Sequence, residues 1–481
     1  MGTGLELVAL ALSALAVSAV AVLAVRGGRR RGGAEELFLA GRQLPLWVGA
    51  LTMTATWVGG GFINGTAEAI YDPALGLWWC QAPVCYALSL AVGGAFFAGP
   101  MRRAGYTTML DPFQERYGTS TTTVFFVTAL CAELFWSAAI LAALGAALSA
   151  VAGIELGTAI LVSAAIVVAY TSLGGLRSVA YTDVLQLGLI LVGLVLVLPF
   201  ALEHAGGLGR TAGAYLERQA VADPFPGRSL WRWTDTAMML VFGGVPWQVY
   251  FQRVLACRDE RSARRLSYVA AGGCLVLALP PALIGATGAT VDWAALGLEA
   301  PASPAQVLPH VISTLAPPLV AGLALAAVTA AVMSSTDSSI LSASSMVAWN
   351  FVRPALGSRV GERALRRSIR VAVVVVGAVA ALVALEVHSV YALWFLCSDL
   401  VYVVLFPQLV IVLWMPASHR GAVLGGVTAG LLLRFGAGEA TFGLDPWIAY
   451  PLGADAPIRT VAMLANASVT LVLSAVLRRR G

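Results

Sequence analysis

The sequence predicts an all-α integral membrane protein with about thirteen transmembrane helices. Of its 481 residues, 59% are hydrophobic and only 11% are charged, whereas charged residues make up roughly a quarter of a soluble domain. Apolar runs of about 20 residues recur along the whole chain, and each is long enough to span the ~30 Å of a bilayer's hydrocarbon core. The net charge of +5 comes from arginines near the ends of these runs, which indicates membrane edges and not a nucleic-acid surface.

Arginine placement determines the predicted topology. The first apolar run, residues 5–25, ends in a group of arginines, and such residues gather in cytoplasmic loops. Residues 1–44 are therefore predicted to hold an extra N-terminal helix and a cytoplasmic arginine loop. The N-terminus is then outside and, after thirteen helices, the C-terminus is inside. Predicted cytoplasmic segments contain most other arginines, Arg253 among them, and predicted external loops contain few, such as Arg459.

The other twelve predicted helices form three groups. Five lie in residues 45–202, five in 234–414 and two in 415–481. External loops are predicted at 203–233, 290–317 and 438–456. The helices are predicted at 45–69, 78–99, 120–150, 155–173, 178–202, 234–256, 266–289, 318–349, 368–386, 389–414, 421–437 and 457–477.

The second predicted helix contains three consecutive glycines, Gly59, Gly60 and Gly61, soon after Trp57. Glycine loses more backbone freedom in a helix than any other residue, so the run predicts that this helix opens near mid-membrane. Backbone groups freed there cannot face lipid and must line a cavity or bind a ligand. A broken helix beside an aromatic side chain is typical of a secondary transporter, although glycines also allow close helix crossings.

A second break is predicted where Gly243 and Gly244 are followed by Pro246 and Trp247. Proline cannot continue the backbone ladder of a helix. Each interrupted helix begins one of the two five-helix blocks, 45–202 and 234–414. Breaks at corresponding places in two halves indicate an inverted repeat with a binding site between the halves.

The ninth predicted helix carries a dense run of hydroxyl side chains around one carboxylate, from Ser334 and Ser335 to Asp337 and Ser338. Such hard oxygen ligands suit a small cation such as Na⁺. Serines alone can bond back to their own helix, but that alternative does not account for Asp337. A carboxylate inside the membrane is costly and is by default a functional candidate. The run therefore predicts a Na⁺ site.

Three further acidic residues lie in predicted spans. Asp183, after Thr182, is a candidate for a second cation site or for stabilising a helix end. Glu133 lies one turn before Trp136 on the same helix face, and it is equally consistent with a site residue and with a hydrogen-bonded structural carboxylate. Asp399 is interpreted as a gating or packing residue.

Four aromatic residues fall in the middle of predicted helices, not in the interfacial belt where aromatic residues usually gather. They are Trp57, Tyr86, Trp136 and Trp247. Most such residues simply pack. If these four converge, however, they form a cage suited to a quaternary ammonium, which has diffuse charge and no N–H group. Each desolvated cation–π contact contributes about 2 kcal/mol.

Seven stretches carry a family resemblance: TMTATWVGGG (52–61), NGTAEA (64–69), MLDPFQ (109–114), GGLRSVAYTDVLQL (174–187), GGVPWQVYFQRVL (243–255), SSTDSSILSASSM (334–346) and SDLVYVVLFPQL (398–409). In them the chain resembles the sodium:solute symporter family, and within it the choline-transporting branch. The resemblance implies a thirteen-helix LeuT-type fold in the cell membrane. It also implies uptake of choline coupled to Na⁺ and dependent on chloride.

Carried over residue by residue, the resemblance places choline within the four aromatic residues. It places one Na⁺ at the carbonyls of Ala55, Val58 and Ala331 and the hydroxyls of Ser334 and Ser335. A second Na⁺ is expected near Asp337, Ser338, Asp183 and Thr182. The resemblance provides no chloride site.

The function predicted from the sequence is therefore secondary active transport by alternating access. The alternative in the same class is a Na⁺ symporter for proline, betaine or another quaternary amine. From other classes, a sensor is disfavoured because the chain carries no soluble output domain. An enzyme is disfavoured because the sequence has no Walker motif, haem histidine pair or metal-ligand cluster.

Overall fold

The computed structural model describes residues 34–221, 229–357, 361–386, 390–415 and 418–480. Almost all of these residues are helical, which confirms the predicted all-α class. The predicted helix at 5–25 lies outside the described residues.

The helices are numbered in chain order. Those before the first gap are α1 (Ala34–Leu39), α2 (Leu46–Trp57), α3 (Gly60–Tyr71), α4 (Gly76–Trp79), α5 (Ala82–Val92), α6 (Asp111–Ala152), α7 (Leu156–His204) and α8 (Leu208–Val221). Those after it are α9 (Ser229–Gly243), α10 (Gln248–Ala256), α11 (Glu260–Thr290), α12 (Val307–Leu315), α13 (Pro318–Met346), α14 (Glu362–Glu386), α15 (Val390–Leu400), α16 (Arg420–Gly436) and α17 (Ile458–Arg480). A π-helical turn at Gly93–Ala98 extends α5 to Arg103, and another at Val401–Leu405 extends α15 to Trp414.

Length and hydropathy identify the membrane-crossing elements among the described residues. Eight helical spans are long and apolar enough to cross a bilayer, and there are nine if the bent pair α2 and α3 counts as one span. The first half of α7, Leu156–Ser172, is also apolar but shorter. The eight are Gly76–Arg103, Asp111–Ala146, Gly174–His204, Glu260–Thr290, Pro318–Ala355, Glu362–Glu386, Leu393–Trp414 and Ile458–Arg478.

The two helices predicted at 155–173 and 178–202 correspond to the two halves of α7, which meet at a sharp kink. The direction changes at Gly175, whose φ of +59° lies in the left-handed region that glycine alone adopts readily. A Cβ at this position would lie 2.8 Å from the carbonyl oxygen of Leu37. Gly175 therefore kinks α7 and lets α1 pack directly against it.

The predicted external segments contain helices of their own. Segment 203–233 includes α8, and segment 290–317 includes α12. The buried residues of α12 recur at helical spacing, so one apolar face is turned to the protein. That face packs mainly on α11 and α13. These segments are thus folded caps on the helix bundle.

Helix α13 occupies the centre of the molecule. It packs most extensively against α7 and α6, and its second half is buried on every side, serines included. A helix that is buried all round normally carries apolar residues. Most hydroxyl groups of α13 donate to carbonyls of α13 itself. Those of Ser334, Ser335 and Ser338 also reach α2, and these contacts mark the candidate site.

Candidate functional site

The first interruption separates α2 from α3. Helix α2 ends at Trp57, Val58 and Gly59 leave the helical conformation, and α3 starts at Gly60 with its axis bent by 53° from that of α2. The prediction also placed Gly60 and Gly61 in the break, but the structure places both in the first turn of α3.

Close packing explains two of these glycines. A Cβ at Gly59 would lie 2.0 Å from Ser335 Oγ, and a Cβ at Gly60 would lie 2.4 Å from Val332 Cγ2. Both atoms belong to α13. A Cβ at Gly61 would meet no protein atom within 4 Å, because Gly61 lines a cavity. The first two glycines thus bring the break against α13.

The second interruption lies between α9 and α10. Helix α9 ends at Gly243 and α10 begins at Gln248, so Gly244 and Pro246 lie in the connection. Trp247 is extended at the start of α10, and its Nε1 donates a hydrogen bond to the carbonyl of Gly243 at 2.8 Å. A Cβ at Gly244 would lie 2.4 Å from Ser89 Oγ of α5. The break therefore fixes the direction of the indole.

All four predicted cage residues line one cavity of about 1000 Å³. The rings of Trp136 and Trp247 meet edge to face, with centroids 5.3 Å apart. Tyr86 meets Trp394 of α15 in the same way at 6.1 Å. Trp394 also lines the cavity but was not predicted. Its position in the middle of a predicted span, like that of the other four, was the available signal.

The cavity extends from the break to the predicted external side. Its lining includes Thr56 and Ser335 beside the break and, in or next to the predicted external loops, Trp79, Arg232 and Thr441. At the opposite end, hydrogen bonds join the segment that follows α1 to the segment that precedes α6. Arg42 donates to the carbonyls of Gly105 and Tyr106 at 3.0 Å each.

The residues predicted to bind Na⁺ lie together behind the break. Ser334 Oγ lies 3.1 Å from the carbonyl oxygen of Ala55 and 2.9 Å from that of Ala331. Ser335 Oγ lies 2.9 Å from the carbonyl oxygen of Thr56. Val58 is fully buried within the break itself. Carbonyl and hydroxyl oxygens from two helices are the donors that a small hard cation prefers, so this donor set fits Na⁺.

The residues predicted for a second cation are only partly brought together. Asp337 accepts a hydrogen bond from Tyr170 at 2.8 Å, and Asp183 accepts one from Thr52. Ser338 lies 3.2 Å from Thr56 Oγ1. The hydroxyl of Thr182 instead donates to carbonyls of its own helix. Asp183 and Asp337 are both completely buried.

The prediction that Arg253 lies in a cytoplasmic segment is wrong. Arg253 is completely buried in α10, donates a hydrogen bond to Ser338 Oγ and lies 3.5 Å from Asp183 Oδ2. The prediction followed the rule that arginines near the end of a membrane span lie in a cytoplasmic loop. Here α10 restarts inside the bundle after the second break, so its last turn still faces the buried carboxylates.

Asp399 lies at the wall of the same cavity, in an ion-pair network. It accepts hydrogen bonds from Arg434 of α16 and Arg459 of α17, and Arg434 also pairs with Glu439 at 2.7 Å. Arg459 in turn lies 3.4 Å from Asp235 of α9. The network joins the last two helices to the cavity wall. Glu133 is also buried, and neither of its carboxyl oxygens has a hydrogen-bond partner among the described residues.

Comparisons with known proteins give a consistent result. The model of the sodium:solute symporter family matches residues 37–429. The chain is 47% identical to the high-affinity choline transporter 1 of Drosophila melanogaster over 91% of this chain and 72% of that protein. It is 44% identical to the high affinity choline transporter 1 of Homo sapiens over 92% of this chain and 79% of that one.

Solved structures match the fold. A Na⁺-coupled sialic acid symporter in a substrate-bound outward-open state superposes with a TM-score of 0.82, at 18% identity, over 98% of this chain and 97% of that one. A transporter of the nucleobase-cation-symport-1 family superposes with a TM-score of 0.60 at 16% identity, over 91% and 94%. At these identities the likeness concerns the fold alone, which is LeuT-like. Together with the family model, it establishes that the chain is a membrane transporter, not an enzyme, and a member of the sodium:solute symporter family.

Proposed function

We propose that the chain takes up choline by coupling its entry to the entry of Na⁺. The observation that carries the proposal is the convergence of Trp57, Tyr86, Trp136 and Trp247 from four helices on one cavity. The lining of this cavity reaches the predicted external loops. The choline transporters of fly, nematode and human are 44–47% identical to this chain over about nine-tenths of its length, which supports the same substrate.

The chemistry of the cavity wall suits a quaternary ammonium. A trimethylammonium group offers no hydrogen-bond donor, so carboxylates gain little over aromatic faces as partners. Edge-to-face pairs such as Trp136 with Trp247 hold the rings in fixed orientations before the ligand arrives, which lowers the entropic cost of binding. Several contacts of about 2 kcal/mol each are enough for micromolar affinity.

One Na⁺ in this proposal binds to oxygens of Ala55, Val58, Ala331, Ser334 and Ser335. Because its ligands come from both sides of the interface between α2 and α13, the ion fastens the broken helix to the centre of the bundle. Trp57, a wall of the cage, ends the same helix α2. Na⁺ binding thereby orders the choline cage, which couples the two ligands.

A second cation is proposed at the cluster of Asp183, Asp337 and Ser338. Both aspartates keep one carboxyl oxygen, Oδ1, without a hydrogen-bond partner among the described residues. Thr182 is the weakest member of this set, since its hydroxyl bonds to its own helix. Chloride dependence is also proposed, from the resemblance alone and without a site.

The proposed topology is a thirteen-helix bundle in the cell membrane, with two inverted five-helix repeats, the N-terminus outside and the C-terminus inside. In alternating access, the cavity open on the predicted external side closes there, and the end held by Arg42 opens. Each positive charge that enters gains about 2.3 kcal/mol per 100 mV of membrane potential. Choline with Na⁺ is therefore drawn inward.

The experiment compares choline with 3,3-dimethylbutan-1-ol, which has the same shape but carbon in place of the charged nitrogen. Binding to the purified protein is followed in Na⁺ buffer by tryptophan fluorescence. We expect choline to bind at least tenfold more tightly, because the neutral compound has no cation–π attraction. Equal affinities would contradict the cage. A fluorescence change on adding proline or betaine, but not on adding choline, would favour a symporter for those solutes.

A further inference from the structure

Arg253 is a charged side chain in the centre of a membrane protein. It is completely buried, and its Nη1 donates to the carbonyl of Val249 at 3.3 Å. Its Nη2 donates to Ser338 Oγ and lies 3.4 Å from Thr52 Oγ1 and 3.5 Å from Asp183 Oδ2. A guanidinium placed here touches α13, α2 and α7 at once. It occupies a position where a bound cation would find the same oxygens.

Arg253 has more than one buried carboxyl group near it. Its guanidinium lies near three buried carboxyl groups, those of Asp183, Asp337 and Glu133. Buried charges persist only when they are paired. One arginine can balance only one carboxylate, so each further carboxyl group here must hold a proton or meet another cation.

The hydrogen bonds in the cluster are also incomplete. Asp183 Oδ1 and Asp337 Oδ1 have no partner among the described residues, and neither does Nε of Arg253. Asp337 Oδ2 accepts a hydrogen bond from the hydroxyl of Tyr170. Buried polar atoms are normally satisfied by protein, water or an ion. The open oxygens mark where a mobile cation can enter beside the arginine.

We propose that Arg253 is a tethered cation, which fills one of the cation positions of the Asp183–Asp337 cluster and thereby sets the number of charges moved with each choline. A guanidinium fixed to α10 balances a carboxylate throughout the cycle but never leaves with the substrate. The cluster consequently takes up one mobile cation fewer than its carboxylates would otherwise require. This inference rests on the proposed function, because it concerns the charge that accompanies choline uptake.

The test measures charge per choline in proteoliposomes, as the ratio of the current to the uptake of radiolabelled choline. In Arg253→Gln a mobile cation takes the vacated position, so the ratio is expected to rise by one charge. Arg253→Lys keeps a tethered charge and is expected to retain the wild-type ratio. The proposal is overturned if Arg253→Gln transports choline with the wild-type ratio, or if Arg253→Lys shows the raised ratio.

A second variant covers the case in which Arg253→Gln does not fold. Removing both members of a buried ion pair is far better tolerated than removing one, so we add Arg253→Gln together with Asp183→Asn. Without the Asp183 carboxylate the vacated position should hold no mobile cation, so the charge ratio of this double variant is not expected to exceed that of the wild type. A ratio raised by one charge would overturn the proposal. Absence of Na⁺-driven choline uptake by the wild type would instead reject the proposed function.

Discussion

Replacing Gly59 by alanine tests whether the break must touch α13. The new Cβ would lie 2.0 Å from Ser335 Oγ and 3.0 Å from Ser335 Cβ. Ordinary contact begins at 3.4 Å, which is 1.4 Å more than the 2.0 Å available here. Either the two helices must separate by about this difference, or the side chain of Ser335 must turn away. Either change removes Ser335 from the proposed Na⁺ ligands.

The size of the effect on Na⁺ binding follows from the free-energy cost of overpacking the interface. An added methyl group in a packed interior costs about 1–3 kcal/mol, and the strain falls on the interface that Na⁺ joins. We therefore expect the half-saturating Na⁺ concentration for choline uptake to rise about 5- to 150-fold. The loss should appear at low Na⁺ and be partly restored by high Na⁺, because ligand excess offsets a weaker site.

The assay is a Na⁺ titration of initial choline uptake rates in proteoliposomes at constant ionic strength. Gly272→Ala is the matched control, because it makes the same change within a membrane span, in α11, where the Cβ meets no atom within 4 Å. The control should retain the wild-type Na⁺ requirement. A folded Gly59→Ala protein with an unchanged half-saturating Na⁺ concentration would refute the reasoning.

Three further predictions concern the cage, the ion site and the ion-pair network. Trp247→Ala should weaken choline binding by about 30-fold, since about 2 kcal/mol of cation–π attraction is lost; tryptophan fluorescence of the remaining indoles measures it, and wild-type affinity would reject the cage. Ser335→Ala should raise the half-saturating Na⁺ concentration before it changes choline affinity at saturating Na⁺, and an unaltered Na⁺ titration would remove this ligand. Asp399→Asn leaves Arg434 and Arg459 without their shared carboxylate; it should lower the free energy of unfolding by about 3 kcal/mol, measured by thermal unfolding in detergent, and an unchanged midpoint would show that the pairs do not stabilise the bundle.

Most of the fold could be predicted from the sequence, because membrane helices are recognised by the length and hydropathy of their apolar runs. The breaks at Gly59 and Gly243 were accessible for a similar reason, since glycine and proline weaken helices wherever they occur. Glycine-rich sequence cannot, however, distinguish a residue that opens a helix from one that allows close contact. That is why Gly60 and Gly61 were placed in the break and belong to α3.

Four residues of the aromatic cavity could be predicted from their positions in the middle of helices, but the full set of aromatic residues that line it could not. Trp394 was not singled out, because the sequence does not reveal which face of α15 meets Tyr86. The ion-pair network around Asp399 depends on where α16 and α17 pack, and Arg434 and Arg459 become its partners only in three dimensions.

Arg253 shows most clearly what sequence analysis could not predict. Charge counting treats every arginine near the end of a span as exposed to the cytoplasm. A helix that restarts inside the bundle can instead carry its arginine to buried carboxylates 70 residues away in sequence, as Arg253 reaches Asp183. Only the packing of α10 against α13 reveals this arrangement.

The measurement that tests the central claim most directly is choline accumulation in proteoliposomes under an inward Na⁺ gradient, with and without chloride. We expect accumulation that depends on Na⁺ and disappears when K⁺ replaces Na⁺ outside. The chloride comparison then decides whether an anion accompanies the cations. Intact protein that accumulates proline or betaine under the same gradient, and never choline, would contradict the account.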